Sequence, residues 1–520
     1  MRRLSAVALA AVLASPALAT PPPIPVSDQS MTELRDDVDH GRRSFAAIAG
    51  AYLDRIARLN PRLKAVIAVN PGAAGAAQAA DLAWQGDRHT RSWRPKGPLF
   101  GMPILFKDNI ETLDPVATTA GSLALADNVT GRDAPVVARL RAAGAVVLGK
   151  ANLSEWANIR SDDSLSGWSA VGGQARNPYD LTRSACGSSS GSAVAVAAGL
   201  AAAAVGTETD GSVTCPAAVN GLVGLKPTVG LVSRTFIVPI SESQDTAGPM
   251  TRTVLDAANM LTVMAGGDPR DPATAEADAR KSDYAAALKP DALKGVRIGV
   301  MRYAAGFHRE TDVVFEQALA ALKAQGATLV EIPEFPHRSE MGAAELVVLL
   351  TELKVDLNAY LAATDPTRVP TRTLADVIAF NTAHADMEMP LFGQELFEQA
   401  EKTKGFNDPA YIKARDDARR LAGSEGIDAL LAKYNVTALV GPTMGPTWLI
   451  DPVLKDRYVG GGAGGAAAVA GYPHLTVPMG QVGGLPVGLS FVGPKWSEAR
   501  LLAYGFAFEQ ATQARKAPVL

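Results

Sequence analysis

Two bends that contain serine, together with one lysine, provide side chains that could carry out nucleophilic catalysis. Residues 187–192 read GSSSGS and residues 206–212 read GTETDGS, with mostly small residues between them. Glycine permits tight turns and close backbone approach, so both segments predict bends that present hydroxyl groups. A serine hydroxyl is a weak nucleophile and needs a base. None of the six histidines lies in or beside either bend, so a different base is required.

Lys107 is a candidate for that base. It follows the apolar run Ile104-Leu105-Phe106, which predicts a buried strand. Burial lowers the pKa of a lysine toward neutrality, and a neutral amine can accept a proton. A lysine at the end of such a strand could therefore work with a second hydroxyl, such as that of Ser188, to activate a serine.

These segments resemble the amidase signature family, whose members hydrolyse amides with a Ser–cis-Ser–Lys triad. The resemblance is carried by residues 183–228 and by the motif GMPILFKDN at 101–109. It implies that Ser212 is the nucleophile, that Ser188 is the bridging serine and that Lys107 is the base. No metal or organic cofactor is implied.

The tight turn of the second bend also predicts an oxyanion hole. The backbone N–H groups of Thr209, Asp210, Gly211 and Ser212 lie on this turn and could bind the charge that develops on a carbonyl oxygen. Many members of the family have glycine where this chain has Asp210. The other serines of the first bend are interpreted as turn and helix-capping hydroxyls.

The substrate implied by the resemblance is an amide of a short peptide. Residues 206–250 look most like bacterial peptide amidases, which implies removal of ammonia from C-terminal peptide amides; a general aryl or aliphatic amidase is the alternative. Trp168 lies in a polar, glycine-rich loop and is a candidate for substrate contact, with packing on the protein body as the alternative. Residues 363–408 are expected to be helical and to contribute to the substrate pocket.

Two other functions remain open from the residues. Residues 187–191 fit the pattern G-x-S-x-G of serine esterases, which would make Ser189 the nucleophile and would need a later histidine. A binding or assembly protein is the second, either as an inactive relative or as one component of a glutamyl-tRNA amidotransferase. Intact Lys107, Ser188 and Ser212 argue against inactivity.

The N-terminus predicts export. Residues 1–19 combine two arginines, an apolar run and Ala17-Leu18-Ala19, which fits the cleavage rule of a signal peptide. Residues 20–30 form a proline-rich spacer, and residues 31–520 are expected to form one amidase domain. The mature protein is therefore predicted to be periplasmic or extracellular, without a membrane-spanning segment.

The composition and charge of the chain bear on which partners it could bind. The chain has 520 residues, is 47% hydrophobic and carries a formal net charge of −3, without a basic block that would favour nucleic acid. It holds two cysteines, Cys186 and Cys215, so no disulfide framework is expected. Their positions favour two small buried thiols, while pairing in an oxidising compartment stays open.

The order of predicted elements indicates an α/β fold. Residues 296–300, 312–325 and 328–332 alternate as strand, helix and strand, which is typical of parallel pairing. The family resemblance implies one large domain with a mixed, largely parallel sheet of about eleven strands covered by helices on both faces.

Overall fold

An eleven-stranded sheet forms the centre of the protein. The computed structural model describes residues 25–88 and 96–520. The signal peptide predicted at 1–19, and residues 20–24 of the predicted spacer, lie outside the described residues. The sheet order is β1-β3-β2-β6-β8-β7-β12-β13-β11-β9-β10, and β4 and β5 form a separate two-stranded ribbon. The strands are β1 (Val66–Val69), β2 (Pro103–Lys107), β3 (Val146–Ala151), β4 (Trp168–Ser169), β5 (Gly173–Gln174), β6 (Ala203–Glu208), β7 (Val223–Lys226), β8 (Thr246–Thr251), β9 (Arg297–Met301), β10 (Thr328–Ile332), β11 (Ala438–Pro442), β12 (His474–Val482) and β13 (Leu485–Val492).

The sheet is mixed and has the predicted number of strands. Parallel pairing occurs in two groups, β3-β2-β6 and β11-β9-β10, which together contain four strand pairs. The other six pairs are antiparallel. The parallel pairing predicted from the strand–helix–strand alternation is confirmed at β9 and β10. Antiparallel pairing runs through the middle of the sheet, where β12 and β13 follow one another after a short turn and need no crossover helix.

Helices surround this sheet. Among the described residues, no helix combines the length and the apolar character that a membrane span requires. The helix that begins at Phe45 contains Pro61 in its last turn and ends at Leu63. The helices are α1 (Met31–Asp39), α2 (Phe45–Leu63), α3 (Ala73–Arg88), α4 (Pro135–Ala142), α5 (Ser190–Ala197), α6 (Thr214–Val219), α7 (Val254–Met264), α8 (Ala277–Arg280), α9 (Arg309–Ala324), α10 (Arg338–Ala362), α11 (Leu374–Ala383), α12 (Ala385–Glu388), α13 (Glu395–Glu401), α14 (Pro409–Ala422), α15 (Asp428–Tyr434), α16 (Gly465–Ala470) and α17 (Glu498–Thr512).

Strand β2 brings the candidate base to its place. All five of its residues are buried, as the apolar run predicted. It pairs in parallel with β3 on one side and with β6 on the other, with Phe106 opposite Val205. Lys107 therefore ends β2 beside the carboxyl end of β6, where the second serine-bearing bend begins.

Candidate active site

Lys107 is buried and hydrogen-bonded to two hydroxyl groups. Its Nζ donates to Ser188 Oγ at 2.7 Å and to Thr207 Oγ1 at 2.8 Å. A third bond of 3.2 Å goes to the Thr207 carbonyl. Burial lowers the pKa of Lys107 to about 7, although the negative charges of Asp245 and Glu208 oppose this shift. Near neutral pH, a large fraction of this lysine therefore carries a lone pair that can accept a proton.

The first bend holds Ser188 in the interior. The Gly187–Ser188 peptide bond is cis, and the Ser188 side chain is fully buried. The Ser188 carbonyl accepts a hydrogen bond of 3.0 Å from the backbone N–H of Ser154. Three residues later, a Cβ on Gly191 would lie only 2.3 Å from the Ala65 carbonyl oxygen. Glycine is needed there because α5 approaches its neighbours so closely.

The second bend is shaped by a carboxylate and a glycine. Glu208 ends β6, and its Oε2 accepts the backbone N–H groups of Val213 at 2.7 Å and Thr214 at 2.9 Å. Gly211 has a φ of +77°, a backbone conformation that residues other than glycine rarely adopt. The two bends meet where the Ser212 carbonyl accepts the N–H of Ser189 at 3.1 Å. Ser212 is thus presented next to the Ser188 bend, with 8% of its surface exposed.

Backbone donors remain free on this turn. Glu208 occupies the N–H groups of Val213 and Thr214. In the described part of the chain, the predicted oxyanion-hole N–H groups of Thr209, Asp210, Gly211 and Ser212 have no protein acceptor. Asp210 itself is an exposed residue of the turn. The turn can therefore offer several N–H groups to an anionic oxygen.

A disulfide joins the two bends, which corrects the expectation of two free thiols. Cys186 and Cys215 are bonded, with their Cα atoms 6.1 Å apart. The prediction that both are buried is confirmed, at 6% and 7% exposed. Sequence could not give the Cα separation, which decides whether two cysteines can pair. The crosslink lies two residues before Ser188 and three residues after Ser212.

A cavity of about 350 Å³ reaches Thr207, which is hydrogen-bonded to Lys107, and is called the active-site cavity below. Lys107, Ser188 and Ser212 themselves are not among its lining residues. Thr207 and Asn109, which are hydrogen-bonded to each other, are two of its buried residues. Its more exposed residues include Glu242 and Ala359. The full lining comprises Asn109, Ala157, Thr207, Thr209, Arg234, Thr235, Ile237, Val238, Pro239, Ile240, Ser241, Glu242, Asp245, Thr246, Arg270, Asp271, Pro272, Asp356 and Ala359.

Two expected contributors lie away from this lining. The Trp168 ring packs edge-on against Phe392, with ring centres 5.3 Å apart, and near the Arg160 guanidinium. That position matches the alternative of a loop residue packed on the protein body. Residues 363–408 are partly helical, as predicted, but do not line the active-site cavity, whose α10 residues are Asp356 and Ala359.

The geometry does not support the esterase alternative. Ser189 Oγ donates to the Thr207 carbonyl at 3.1 Å and accepts the Thr207 N–H at 3.2 Å, so the hydroxyl is engaged with strand β6. Among the histidines that the structure describes, none is hydrogen-bonded to Ser189. His474, the most buried of them, contacts Ser490 instead, and burial lowers its pKa to about 3.

Sequence reasoning missed four polar residues around Lys107. Thr207 and Glu208 lie inside the recognised segment but were assigned to a bend. A strand that reaches residue 208 would have placed their side chains on opposite faces, because side chains alternate along a strand. Asp245, which accepts a hydrogen bond of 2.6 Å from Thr209 Oγ1, comes from strand-flanking sequence far along the chain. Asn109 was quoted only as part of a motif.

Comparisons with known proteins agree with this geometry. The model of the family described as Amidase matches residues 47–502. The probable amidase of Arabidopsis thaliana is 39% identical over 504 residues, which are 95% of this chain and 92% of that protein. The putative amidase of Arthroderma benhamiae is 36% identical over 505 residues, which are 93% of this chain and 81% of that protein.

A solved structure is more similar still. The native peptide amidase of Stenotrophomonas maltophilia has 52% sequence identity and a TM-score of 0.88, covering 96% of this chain and 99% of that one. The lysine, the two serine-bearing bends and the mixed sheet thus occur in a chain that aligns along nearly its whole length with amidases. This protein is an amidase and belongs to the amidase signature family.

Proposed function

We propose that this amidase removes ammonia from the C-terminal amides of short peptides. The observation that carries the proposal is the buried Lys107, whose Nζ contacts Ser188 at 2.7 Å and whose pKa is about 7. Such a lysine can act as a base near neutral pH. The peptide part of the proposal is supported by the 52% identity to a peptide amidase and by an active-site cavity large enough for an acyl group.

The proposed mechanism assigns one step to each of these residues. Neutral Lys107 takes a proton from Ser188 as Ser188 takes one from Ser212, and the Ser212 oxygen attacks the amide carbonyl carbon. The resulting oxyanion accepts hydrogen bonds from free N–H groups of the turn formed by Thr209, Asp210, Gly211 and Ser212. The C–N bond breaks as the proton returns to the leaving nitrogen, which departs as ammonia. Water then attacks the acyl-enzyme by the same route and releases the acid.

A substrate panel tests this proposal. We expect kcat/KM for a blocked dipeptide amide to exceed that for a simple aromatic amide, because remote binding energy can assist the chemical step. Released ammonia measures the reaction, and mass spectrometry reports whether internal peptide bonds are cut. Preference for the aromatic amide would favour the general amidase alternative, and ready cleavage of internal bonds would also contradict the peptide-amide assignment.

We further propose that the protein is exported. The support is the pattern of residues 1–19, with its arginine pair, apolar run and small residues before Thr20. The disulfide between Cys186 and Cys215 fits an oxidising compartment. N-terminal sequencing of protein from the native host should begin at Thr20, whereas Met1 at the N-terminus would contradict export.

A further inference from the structure

One end of the Asn109 side chain has no partner in the protein. Asn109 lies two residues after Lys107 and is 3% exposed. Its Nδ2 donates to Thr207 Oγ1 at 3.0 Å and to the Val238 carbonyl at 3.5 Å. Its Oδ1 is buried and accepts no hydrogen bond from the described residues. Because the Val238 carbonyl can only accept, we assign the amide N–H groups to the side that faces it, which leaves Oδ1 as the end without a partner.

This unpaired oxygen belongs to a residue that lines the active-site cavity. Buried polar atoms in proteins nearly always have a partner, so a lone buried acceptor beside a cavity indicates a donor that arrives with the ligand. Two nearby hydroxyls are engaged elsewhere: Thr209 Oγ1 donates to Asp245, and Thr207 Oγ1 contacts Lys107 and Asn109. Thr246 Oγ1, which also belongs to a residue of the lining, makes no hydrogen bond to the described residues either. Asn109 Oδ1 is therefore left without a donor among the described residues.

The size of the cavity indicates which part of the substrate supplies this N–H. A volume of about 350 Å³ is far larger than ammonia needs and matches pockets that hold larger organic groups. The cavity therefore suits the acyl side of the substrate. In a peptide amide, the backbone N–H of the residue that bears the scissile carboxamide is the donor on that side closest to the reacting carbonyl.

We propose that Asn109 Oδ1 binds the backbone N–H of the acyl residue of a peptide amide. This proposal rests on the peptide-amide function proposed above and adds a specificity determinant to it. It makes Asn109 a substrate-binding residue that distinguishes peptide amides from amides without this N–H.

A matched pair of substrates tests the proposal. One is a blocked dipeptide amide, and the other is its depsipeptide analogue, in which an ester oxygen replaces the N–H of the acyl residue. Ammonia release gives kcat/KM for both. Wild-type enzyme should prefer the N–H substrate by about tenfold, the size expected for one hydrogen bond. In Asn109→Leu this preference should fall to about one, because the acceptor is gone.

The ratio of kcat/KM for the two substrates separates a role of Asn109 in binding the substrate from a role in positioning Thr207 and Lys107. Asn109→Leu also removes the bond to Thr207, next to Lys107, but that loss slows both substrates alike and cancels. Asn109→Asp keeps an acceptor oxygen and should keep the preference. Thr235→Val is the matched control, because Thr235 lines the same cavity while its hydroxyl is engaged by Asp268 at 2.6 Å. The preference of the Thr235→Val variant for the N–H substrate should equal that of the wild-type enzyme.

Each possible result of this comparison either supports or contradicts the proposal. An unchanged preference in Asn109→Leu would overturn it, since Oδ1 would then hold only a water molecule or the scissile carboxamide. Equal rates for the two substrates in wild-type enzyme would overturn it as well. If wild-type enzyme hydrolyses a simple aromatic amide but neither peptide substrate, the proposed peptide-amide function fails together with this inference.

Discussion

Lys107 connects the structure of the site to its pH dependence. Burial brings its pKa to about 7, and only the neutral amine can accept a proton. We therefore expect kcat/KM to rise with pH through about 7 and then to level off, since the base is protonated below its pKa. Initial rates measured across a series of buffers give this profile. A flat profile, or one that falls across neutral pH, would contradict Lys107 as the base.

Single substitutions at the triad positions test the same residues directly. Ser212→Ala and Lys107→Ala should each lower kcat by roughly 10³-fold or more, as for other activated serines. Ser188→Ala should be severe but less complete, since a water molecule can take the place of its hydroxyl. The measurement is ammonia release under saturating substrate, with folding checked by circular dichroism.

A neighbouring serine supplies the control for these variants. Ser192 lies in the same small-residue segment, and its hydroxyl makes only a long bond of 3.4 Å to the Val205 carbonyl. Ser192→Ala should retain most of the wild-type rate. Activity that survives in Ser212→Ala but disappears in Ser189→Ala would support the esterase nucleophile instead.

At the scale of elements, Glu208 shapes the turn that carries the nucleophile. Glu208→Ala leaves the N–H groups of Val213 and Thr214 without their acceptor, which should cost about 1–3 kcal/mol of unfolding free energy. Because the turn also carries Ser212, kcat should fall while KM changes little. Denaturant unfolding and steady-state kinetics measure the two effects, and a full wild-type kcat would show that the turn holds its shape without this carboxylate.

Glu208→Gln is the informative companion, because it keeps one acceptor and removes the charge. The negative charge of Glu208 raises the pKa of Lys107, so its removal should move the rising limb of the pH profile to lower pH. A shift to higher pH would contradict this electrostatic link between the two elements.

Elements marked by local pattern were predictable, and those defined by distant partners were not. The apolar run at 104–106 predicted β2, and the strand–helix–strand alternation predicted β9, α9 and β10. In contrast, β6 pairs with β8 through residues about forty positions apart, such as Thr207 and Ala247. Short local patterns carry no information on which strand will become a neighbour, so the antiparallel middle of the sheet was missed.

At the scale of the whole molecule, the features that depend on tertiary packing could not be predicted from the sequence. The active-site cavity combines Asn109 after β2, Thr207 on β6 and Asp356 on α10, which meet only after the sheet and helices have packed. Family resemblance supplied Lys107, Ser188 and Ser212, because that resemblance already contains tertiary information. It left the disulfide open, since pairing depends on a Cα separation that composition does not encode.

Removing the disulfide should affect both stability and turnover. The bond closes a sequence separation of 29 residues, for which chain-entropy estimates give about 3–4 kcal/mol. The double variant Cys186→Ala, Cys215→Ala should therefore unfold at lower denaturant concentration, and kcat should fall because both serine-bearing bends lose their common anchor. Wild-type stability in the double variant would contradict a structural role.

A reductant adds a check within the same experiment. Treatment of the wild-type protein with a phosphine should reproduce the loss of kcat, while the double variant should be insensitive to it. Sensitivity of both proteins would place the effect elsewhere, because the two cysteines are the only ones in the chain.

The disulfide between the two bends also implies an oxidation step in the assembly of the active site. Newly made chains in a reducing cytosol carry two thiols, and the bond forms only when an oxidant of the surroundings removes two electrons and two protons from them. If residues 1–19 direct export as proposed, the two serine-bearing bends are fastened to each other only after the chain has left the cell interior. In that case, the drop in kcat predicted for the reduced protein would apply to chains still inside the cell, and oxidation after export would give the fully active amidase.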